Sequence, residues 1–323
     1  MKVLFAGSAF EKLRALGVLE AFSHYDVRIA VDEEIGSSLP WAEVFVTGPR
    51  EIGSGLLAEA KSLRLIHQWG TGVEGIDLDA CLRYGVRVCN VPSRGTGNAE
   101  SVAEMALLLM LLLARRYGRA QENLFKHRRV HAPKGLSLWK KTVCLVGLGN
   151  LGHCIAERLA CLGMEVRGVN RTRRPEFASW GLSAFYPLED LNQAVEGTRF
   201  LVLALSLNDQ TKDIVCRRTL QALGPAGFLV NVARGGLVCR RDLEEALDAG
   251  EIAGAGLDVF WEEPPDPQDP LLSRLNVVAM PHVGGVTDSG LEGITRFIRQ
   301  NLDRYARGEP LYSEVKARTG DIE

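Results

Sequence analysis

Three side chains suited to acid–base and anion chemistry stand in the second half of the chain. Arg234, Glu263 and His282 each follow, within a few residues, a largely apolar run that is typical of a buried strand. Because the carboxyl ends of parallel strands meet at one edge of a sheet, we expect the three side chains to lie at that edge. Each alone has a structural explanation, as a helix cap, a solvated loop acid or a satisfied buried imidazole. Together they indicate a site.

These residue types suit the reduction of a carbonyl. A guanidinium holds a carboxylate and polarises the keto oxygen of a 2-oxo acid through forked hydrogen bonds. A histidine titrates near neutral pH, so it can donate a proton to the developing alkoxide and take it back in the reverse direction. We therefore predict that Arg234 orients the substrate and that His282 is the acid/base. Glu263 would orient the histidine, with Glu262 as the alternative acid.

A glycine motif, VGLGNLG, lies near the middle of the chain between a β-branched run and a helical pattern. In such a strand–turn–helix unit, Gly147 permits the tight turn, Gly149 lets a pyrophosphate approach the backbone, and Gly152 lets the helix pack closely on the strand. The pyrophosphate would rest at the helix N-terminus, where backbone N–H groups favour anions. The motif predicts a nicotinamide dinucleotide as the source of hydride.

The residues after the next strand favour NADP(H). NAD sites place Asp or Glu about 20 residues beyond the glycine motif, where it binds the ribose hydroxyls. Here the position is Asn170, and the sequence RTRR follows it at 171–174. An acid would repel a 2′-phosphate, whereas Arg171 and Thr172 could bind it. We expect NADP(H) to be preferred, with NAD(H) as an alternative; the other explanation of this segment is an exposed basic loop.

Strand and helix patterns alternate in both halves of the chain, which predicts the α/β class with two doubly wound parallel-sheet domains. Because the glycine motif lies in mid-chain, we expect a six-stranded Rossmann dinucleotide-binding domain at 98–288. It would be inserted into a flavodoxin-like substrate domain formed by 1–97 and 289–323. One long helix, Ala99–Arg119, would link the two domains.

Composition sets limits on the function. With 323 residues, 46% of them hydrophobic, the chain has apolar material for two cores, and a net charge of −2 argues against a nucleic-acid or membrane-surface partner. The longest apolar stretch, Met105–Ala114, falls short of the ~20 residues that span a bilayer. The basic cluster Lys126–Arg129 is interpreted as a solvated helix face. Seven cysteines without a CxxC pair indicate reduced core residues, a cytoplasmic location and no metal site.

Six segments together resemble the D-isomer-specific 2-hydroxyacid dehydrogenases, a family that includes glyoxylate/hydroxypyruvate reductases. They are TGVEGIDLDAC, NVPSRGTGNAESVAEMALLLML, VGLGNLG, LVNVARGGLV, AGLDVFWEEPP and MPHVGG. The resemblance implies reversible reduction of a short 2-oxo acid, such as glyoxylate or hydroxypyruvate, to the D-2-hydroxy acid. It assigns the family's arginine, glutamate and histidine to Arg234, Glu263 and His282, and it implies a homodimer joined through the cofactor domain.

The same resemblance implies further contacts. Backbone amides of Gly72 and Val73 would hold the substrate carboxylate together with Arg234 and His282, and Val102 would border the nicotinamide ring. Asp258 would contact the nicotinamide end of the cofactor. The remaining cofactor contacts are expected at Gly147, Gly149, Asn150, Leu151, Gly152, Asn170, Arg171, Thr172, Val232, Ala233, His282 and Gly284.

Two other functions stay open at this point. A dinucleotide-sensing, corepressor-like binding protein of the same fold could keep all three side chains. The chain ends soon after its last predicted helix, without a long polar tail for partner recruitment, and this favours the enzyme. Oxidation of a one-carbon or inorganic donor is the third alternative, disfavoured because such oxidants commonly use NAD. Trp69 and Arg94 could shape the substrate pocket, although Trp69 is equally suited to the core.

Overall fold

A computed structural model describes residues 1–316 of the chain. The strands are β1 (Lys2–Ala6), β2 (Asp26–Ala30), β3 (Val44–Thr47), β4 (Leu65–Gln68), β5 (Arg87–Cys89), β6 (Thr142–Val146), β7 (Glu165–Val169), β8 (Leu182–Tyr186), β9 (Phe200–Leu203), β10 (Phe228–Asn231), β11 (Gly254–Leu257), β12 (Val277–Ala279) and β13 (Glu314–Val315). The α-helices are α1 (Ser8–Ala15), α2 (Ile35–Ser38), α3 (Ser54–Glu59), α4 (Leu78–Arg83), α5 (Asn98–Ala114), α6 (Tyr117–Phe125), α7 (Asn150–Cys161), α8 (Leu191–Val195), α9 (Arg217–Leu223), α10 (Arg240–Asp248) and α11 (Asp288–Ala306).

The chain divides into two compact units. The first consists of Met1–Asn98 and the residues from Asp288 onward, and the second is Ala99–Thr287. The expected domain limits, 97/98 and 288/289, differ from these by one residue at each end. Residues 317–323 of the expected C-terminal return lie outside the described part of the chain.

The first unit is built on a six-stranded sheet in the order β13-β5-β4-β3-β1-β2. Neighbouring strands are parallel except β13, which pairs antiparallel with β5. All four residues of β3 and of β4 are buried, because apolar side chains cover both faces of the sheet. Helix α11 returns to this unit and packs Ile294, Ile298 and Leu302 into the apolar cluster around Phe5 and Phe22.

The second unit is built on a parallel seven-stranded sheet in the order β12-β11-β10-β9-β6-β7-β8. From β6 the next two strands in the chain, β7 and β8, are added on one side, and β9 to β12 are added on the other side. The strand order therefore reverses between β6 and β9. In open α/β sheets a ligand binds at the carboxyl ends of the strands beside such a reversal. The sheet has one strand more than expected, the partly buried edge strand β8.

The predicted helix Ala99–Arg119 is wrong in its extent. It is broken into α5 and α6 at Arg116, whose φ is +51°. The break lets Gly118 approach the backbone of Leu275, where a Cβ on the glycine would lie 2.7 Å from the carbonyl oxygen. Tertiary packing therefore overrides a helical pattern that continues on both sides of the break.

Two further expectations need correction. The basic cluster Lys126–Arg129 is exposed, but it follows the end of α6 and is not a helix face. The seven cysteines are free, but only Cys81, Cys89 and Cys144 are buried, while Cys161 is exposed. Among the helices of residues 1–316, none combines the length and apolar character that crossing a membrane requires.

Candidate active site

Strands β10, β11 and β12 of the second unit are adjacent and parallel, and each is followed by one of the three predicted catalytic residues. Arg234 follows β10, Glu263 follows β11 and His282 follows β12. Their carboxyl ends share one edge of the sheet, so the three loops lie side by side. The expected placement of these residues at successive strand ends therefore agrees with the topology.

Glu263 and His282 form a direct pair. Nδ1 of His282 lies 2.6 Å from Oε2 of Glu263, and Oε1 of the same carboxylate accepts the backbone N–H of Phe260 at 3.0 Å. Burial opposes ionisation of the Glu263 carboxyl, but the hydrogen bond and electrostatic attraction of His282, the N–H of Phe260 and the charge of Arg234 outweigh it. The pKa of Glu263 is consequently lowered, and the group is a carboxylate at neutral pH. Within residues 1–316, Glu262, the alternative acid, forms no hydrogen bond or ion pair with the histidine.

Asp258 supports the loop that carries the histidine. Its Oδ1 accepts the N–H of Val283 at 3.0 Å and its Oδ2 the N–H of Gly284 at 2.8 Å. Burial raises the pKa of Asp258 against the lowering effect of these two hydrogen bonds. His282, between strand and loop, has a φ of +55°, which is uncommon for a side chain of this size and is typical of functional sites. Asp258 thus holds an unfavourable turn in place.

The arginine loop is fixed by its neighbours as well. The Asn231 side chain, buried at the end of β10, donates to the carbonyl of Arg234 at 2.8 Å and accepts the N–H of Ala233 at 3.1 Å. Gly235 lies against the next loop so closely that a Cβ would be 2.1 Å from the carbonyl oxygen of Phe260. Only glycine allows the backbones that carry Arg234 and Glu263 to touch.

The glycine motif has the geometry that a pyrophosphate requires. Gly147 has a φ of +98°, and a Cβ on Gly152 would lie 2.0 Å from the carbonyl oxygen of Gly147. A Cβ on Gly149 would have no atom of residues 1–316 within 4 Å, so the space beside this glycine is open. The N-cap residue of α7 is Gly149, which provides no side-chain cap of its own. The motif therefore fits a dinucleotide, whose pyrophosphate would rest at this helix N-terminus.

In the segment after β7, fewer arginine side chains are available to a ligand than the sequence suggests. Asn170 accepts the N–H of Leu148 at 3.3 Å and donates to the carbonyl of Thr172 at 2.9 Å, so its side chain shapes the turn. Arg173 lies over the ring of Phe185, and Arg174 pairs with Glu176 at 3.8 Å.

Arg171 and Thr172 are both exposed, which leaves them as the candidate phosphate ligands. Among residues 1–316, the one hydrogen bond that Arg171 makes is to the amide oxygen of Gln210, at 3.5 Å.

In the first unit, the predicted carboxylate loop follows β4. Within residues 1–316 the N–H groups of Gly72 and Val73 donate to no protein acceptor. Two consecutive unpaired N–H groups form an anion-binding element in many loops. Trp69, just before this loop, lies edge-on to Phe10 with ring centroids 5.2 Å apart and packs on the apolar cluster, whereas Arg94 is exposed.

The remaining predicted cofactor contacts lie in the second unit. Val102 is a partly buried residue of α5, and Val232 and Ala233 are buried at the end of β10. Gly284 is buried between Asp258 and Met105.

Two positioning residues escaped sequence analysis. Asn231 is a polar residue in an otherwise apolar strand just before the arginine, and that polarity was the available signal. Trp261 donates its indole N–H to the carbonyl of Val238 at 2.7 Å, which ties the glutamate loop to the segment after the arginine. No pattern in the sequence indicates this second contact, because the two residues meet only through the fold.

Comparison with known proteins gives a consistent result. Residues 107–284, more than half of the chain, match the family model "D-isomer specific 2-hydroxyacid dehydrogenase, NAD binding domain". A glyoxylate reductase of Thermococcus gammatolerans is 34% identical over 260 residues, covering 77% of this chain and 75% of the relative. A D-3-phosphoglycerate dehydrogenase of Methanocaldococcus jannaschii is 31% identical over 302 residues, covering 91% of this chain, which spans only 56% of that longer protein.

A solved structure is similar along almost the whole chain. The NADPH-dependent glyoxylate/hydroxypyruvate reductase of Sinorhizobium meliloti, in complex with NADP and malonate, has a TM-score of 0.84 and 28% identity, covering 97% of this chain and 96% of that one. The fold, the family model and the relatives agree on an NAD(P)-dependent oxidoreductase. The chain therefore belongs to the D-isomer-specific 2-hydroxyacid dehydrogenase family.

Proposed function

We propose that this protein reduces a short 2-oxo acid, such as glyoxylate or hydroxypyruvate, to the D-2-hydroxy acid, and that it uses NADP(H) in preference to NAD(H). The observation that carries the proposal is the Glu263–His282 pair, which stands beside Arg234 at the carboxyl edge of the cofactor sheet. The relatives named as glyoxylate reductases support the substrate class.

Each side chain has one role in this mechanism. Arg234 would bind the carboxylate and the keto oxygen of the substrate through its guanidinium, which lowers the energy of the developing alkoxide. His282 would donate the proton from Nε2, since its Nδ1 faces Glu263. Glu263 would keep the imidazole ring in that orientation. The N–H groups of Gly72 and Val73 are proposed as further ligands of a substrate carboxylate.

The cofactor, when bound, supplies the hydride. Gly147, Gly149, Asn150, Leu151 and Gly152 would hold its pyrophosphate at the start of α7. Val102, Asp258 and Gly284 would border its nicotinamide end, and Val232 and Ala233 would line the strand edge between the two ends.

The NADP(H) preference is proposed from the end of β7. The absence of an acid at Asn170 and the exposed Arg171 and Thr172 support it, as does the solved relative described as NADPH-dependent. Initial rates with NADPH and NADH test this part: we expect kcat/KM to be at least about tenfold higher for NADPH, the effect of one charge-assisted contact. Equal values would contradict it.

The substrate is tested separately. Oxidation of NADPH is followed at 340 nm with glyoxylate, hydroxypyruvate, pyruvate, phenylpyruvate and branched 2-oxo acids. We expect the highest kcat/KM for glyoxylate or hydroxypyruvate. A bulky or branched acid in first place would contradict the proposed substrate class while leaving the reaction type intact.

We further propose a cytoplasmic homodimer joined through the cofactor unit. Seven of the fourteen exposed large apolar side chains of residues 1–316 lie on α5, α6 and the segment after them: Leu108, Leu111, Tyr117, Leu124, Phe125, Val130 and Trp139. Exposed apolar patches of this kind mark association surfaces. Sedimentation should give a dimer that Phe125→Glu converts to monomer, while Leu16→Glu, an exposed leucine of the first unit, does not.

The corepressor-like alternative is not favoured, because the relatives are named as reductases and dehydrogenases. His282→Ala tests the difference. In an enzyme, 2-oxo acid reduction is largely lost while NADPH still binds. Unchanged reduction by this variant would remove the histidine from the mechanism.

A further inference from the structure

The start of the carboxylate loop is joined to the end of the neighbouring strand β5. The N–H of Val91 donates to the carbonyl of Gly70 at 2.8 Å, and the Thr71 hydroxyl donates back to the carbonyl of Val91 at 3.1 Å. In addition, Nδ2 of Asn90 donates to the carbonyl oxygen of Thr71 at 2.6 Å. Three hydrogen bonds therefore hold the first two residues of the loop.

The Asn90 contact determines where the next N–H points. The peptide that joins Thr71 to Gly72 is planar and trans, so its C=O and N–H point in opposite directions. When Asn90 holds the carbonyl of Thr71, the N–H of Gly72 must face away from Asn90. That N–H is one of the two that donate to no protein group within residues 1–316.

The orientation of the Asn90 amide is itself fixed. The carbonyl of Thr71 can only accept, so it must face the NH₂ group. The amide oxygen of Asn90 then accepts the hydroxyl of Ser313 at 2.5 Å, and the N–H of Asn90 donates to the carbonyl of Ser313 at 3.2 Å. Asn90 thus connects the carboxylate loop to the segment just before β13.

That segment is held from two further sides. The amide of Asn301 in α11 accepts the N–H of Tyr312 at 2.8 Å and donates to the carbonyl of Tyr312 at 2.9 Å. On the other side, Arg87 makes two hydrogen bonds, of 2.7 and 2.8 Å, to the carboxylate of Glu314. Ser313 lies between these two attachments, so its backbone is held where its hydroxyl reaches Asn90.

We infer that Asn90 is a positioning residue for substrate binding: oriented by Ser313, it turns the N–H of Gly72 toward the carboxylate of the 2-oxo acid. The inference rests on the proposed function for the identity of that carboxylate. It adds to the site a chain of contacts, Ser313 to Asn90 to Thr71, in which neither Ser313 nor Asn90 touches the substrate.

The test compares Asn90→Ala and Ser313→Ala with the wild type. Asn90→Ala frees the peptide, so we expect KM for the 2-oxo acid to rise about tenfold, the effect of one misaligned hydrogen bond to a charged group. The kcat should change less than about twofold, since the interaction is made equally in ground and transition states. The dissociation constant of NADPH should not change. Ser313→Ala should also raise KM for the 2-oxo acid, by about threefold.

The double variant distinguishes positioning from general loosening. If Ser313 acts only through Asn90, adding Ser313→Ala to Asn90→Ala produces no further rise in KM. Ser37→Ala, which removes another exposed serine hydroxyl of the first unit, is the matched control and should leave KM unchanged. Additive effects of the two changes, or a fall in kcat at constant KM, would overturn the inference.

Oxamate, a non-reducible carboxylate analogue of pyruvate, separates this inference from the proposed reaction. Its dissociation constant in the presence of NADPH, measured by calorimetry, should rise by the same factor as KM in each variant. Oxamate binding that is absent from the wild type, or equal in all variants, contradicts the positioning role. If the wild type reduces no acid of the panel, the proposed function fails, and oxamate binding still decides whether Asn90 orients the loop.

Discussion

The imidazole of His282 and the carboxylate of Glu263 meet through Nδ1 and Oε2 at 2.6 Å, which leaves the opposite ring nitrogen of the histidine for proton exchange. Within residues 1–316, Nε2 of His282 has no protein partner. The second oxygen of Glu263 is engaged by the Phe260 N–H. One carboxylate therefore fixes both the ring and its own loop.

Glu263→Gln should lower kcat about a hundredfold, the range found for a disturbed acid/base group. An amide has one acceptor oxygen, whereas both the ring N–H and the Phe260 N–H need an acceptor, so one contact must be lost. Steady-state kinetics measures the change, and Glu262→Gln is the control with wild-type kcat. Equal kcat values in the two variants would show that the observed pair does not matter for proton transfer.

Asp258→Asn should lower both stability and activity. The amide NH₂ would face a backbone N–H donor at Val283 or Gly284, which costs about 1–3 kcal/mol when a buried donor loses its acceptor. Because these two hydrogen bonds hold the loop that carries His282, kcat should fall with the stability. Thermal unfolding and kcat are measured together; a variant with wild-type values of both would disprove this support role.

Gly235→Ala should largely abolish activity while cofactor binding is retained. The new methyl group would lie 2.1 Å from the Phe260 carbonyl oxygen, a backbone atom that cannot move alone, so the loops of Arg234 and Glu263 must separate. We expect kcat/KM to fall at least about a hundredfold, since small displacements of catalytic groups have that effect. NADPH titration should still show binding. Gly55→Ala, in open space within α3, is the harmless control.

Arg171→Asp should reverse or remove the preference for NADPH. The change replaces a cation with an anion that repels a 2′-phosphate and accepts from ribose hydroxyls. Arg174→Asp is the matched control, because Arg174 already pairs with Glu176 and is expected to affect the cofactor ratio little. The ratio of kcat/KM values for NADPH and NADH is measured for each. An equal shift in both variants would indicate a general charge effect.

His67 should make the first unit sensitive to acid. Its ring is fully buried, and burial lowers its pKa from 6.5 to about 4. The unfolded chain therefore binds the proton first: this contribution to stability is complete above pH 6.5 and is lost as the pH falls toward 4. The loss amounts to about 3 kcal/mol.

Urea unfolding between pH 4 and 7.5 measures this loss. His67→Gln should flatten the dependence on pH, and His127→Gln, at an exposed position, should not. Parallel curves for the wild type and His67→Gln would contradict the assignment.

The positions of strand β6, the glycine motif and the loops of Arg234, Glu263 and His282 could be predicted because apolar runs and glycine spacing are local signals. Their catalytic roles stay predictions. Asp258 was expected only to contact the cofactor, whereas it also holds the histidine loop, a contact that depends on two strands meeting. Likewise, β13 and the Ser313 contact with Asn90 join residues that are far apart in the chain. Such contacts leave no periodic trace in the sequence.

The nested arrangement of the two units has a consequence for the order of folding. The hydroxyls of Ser101 and Thr287 lie 2.7 Å apart, so the inserted unit begins and ends at nearly the same point. Once that unit has folded, the chain ends that enter and leave it are close together. The entropy of closing a very long loop then no longer opposes the docking of α11 and β13 on the first ninety-eight residues. The cofactor-binding unit is therefore expected to fold first, and its folding is expected to speed the assembly of the first unit.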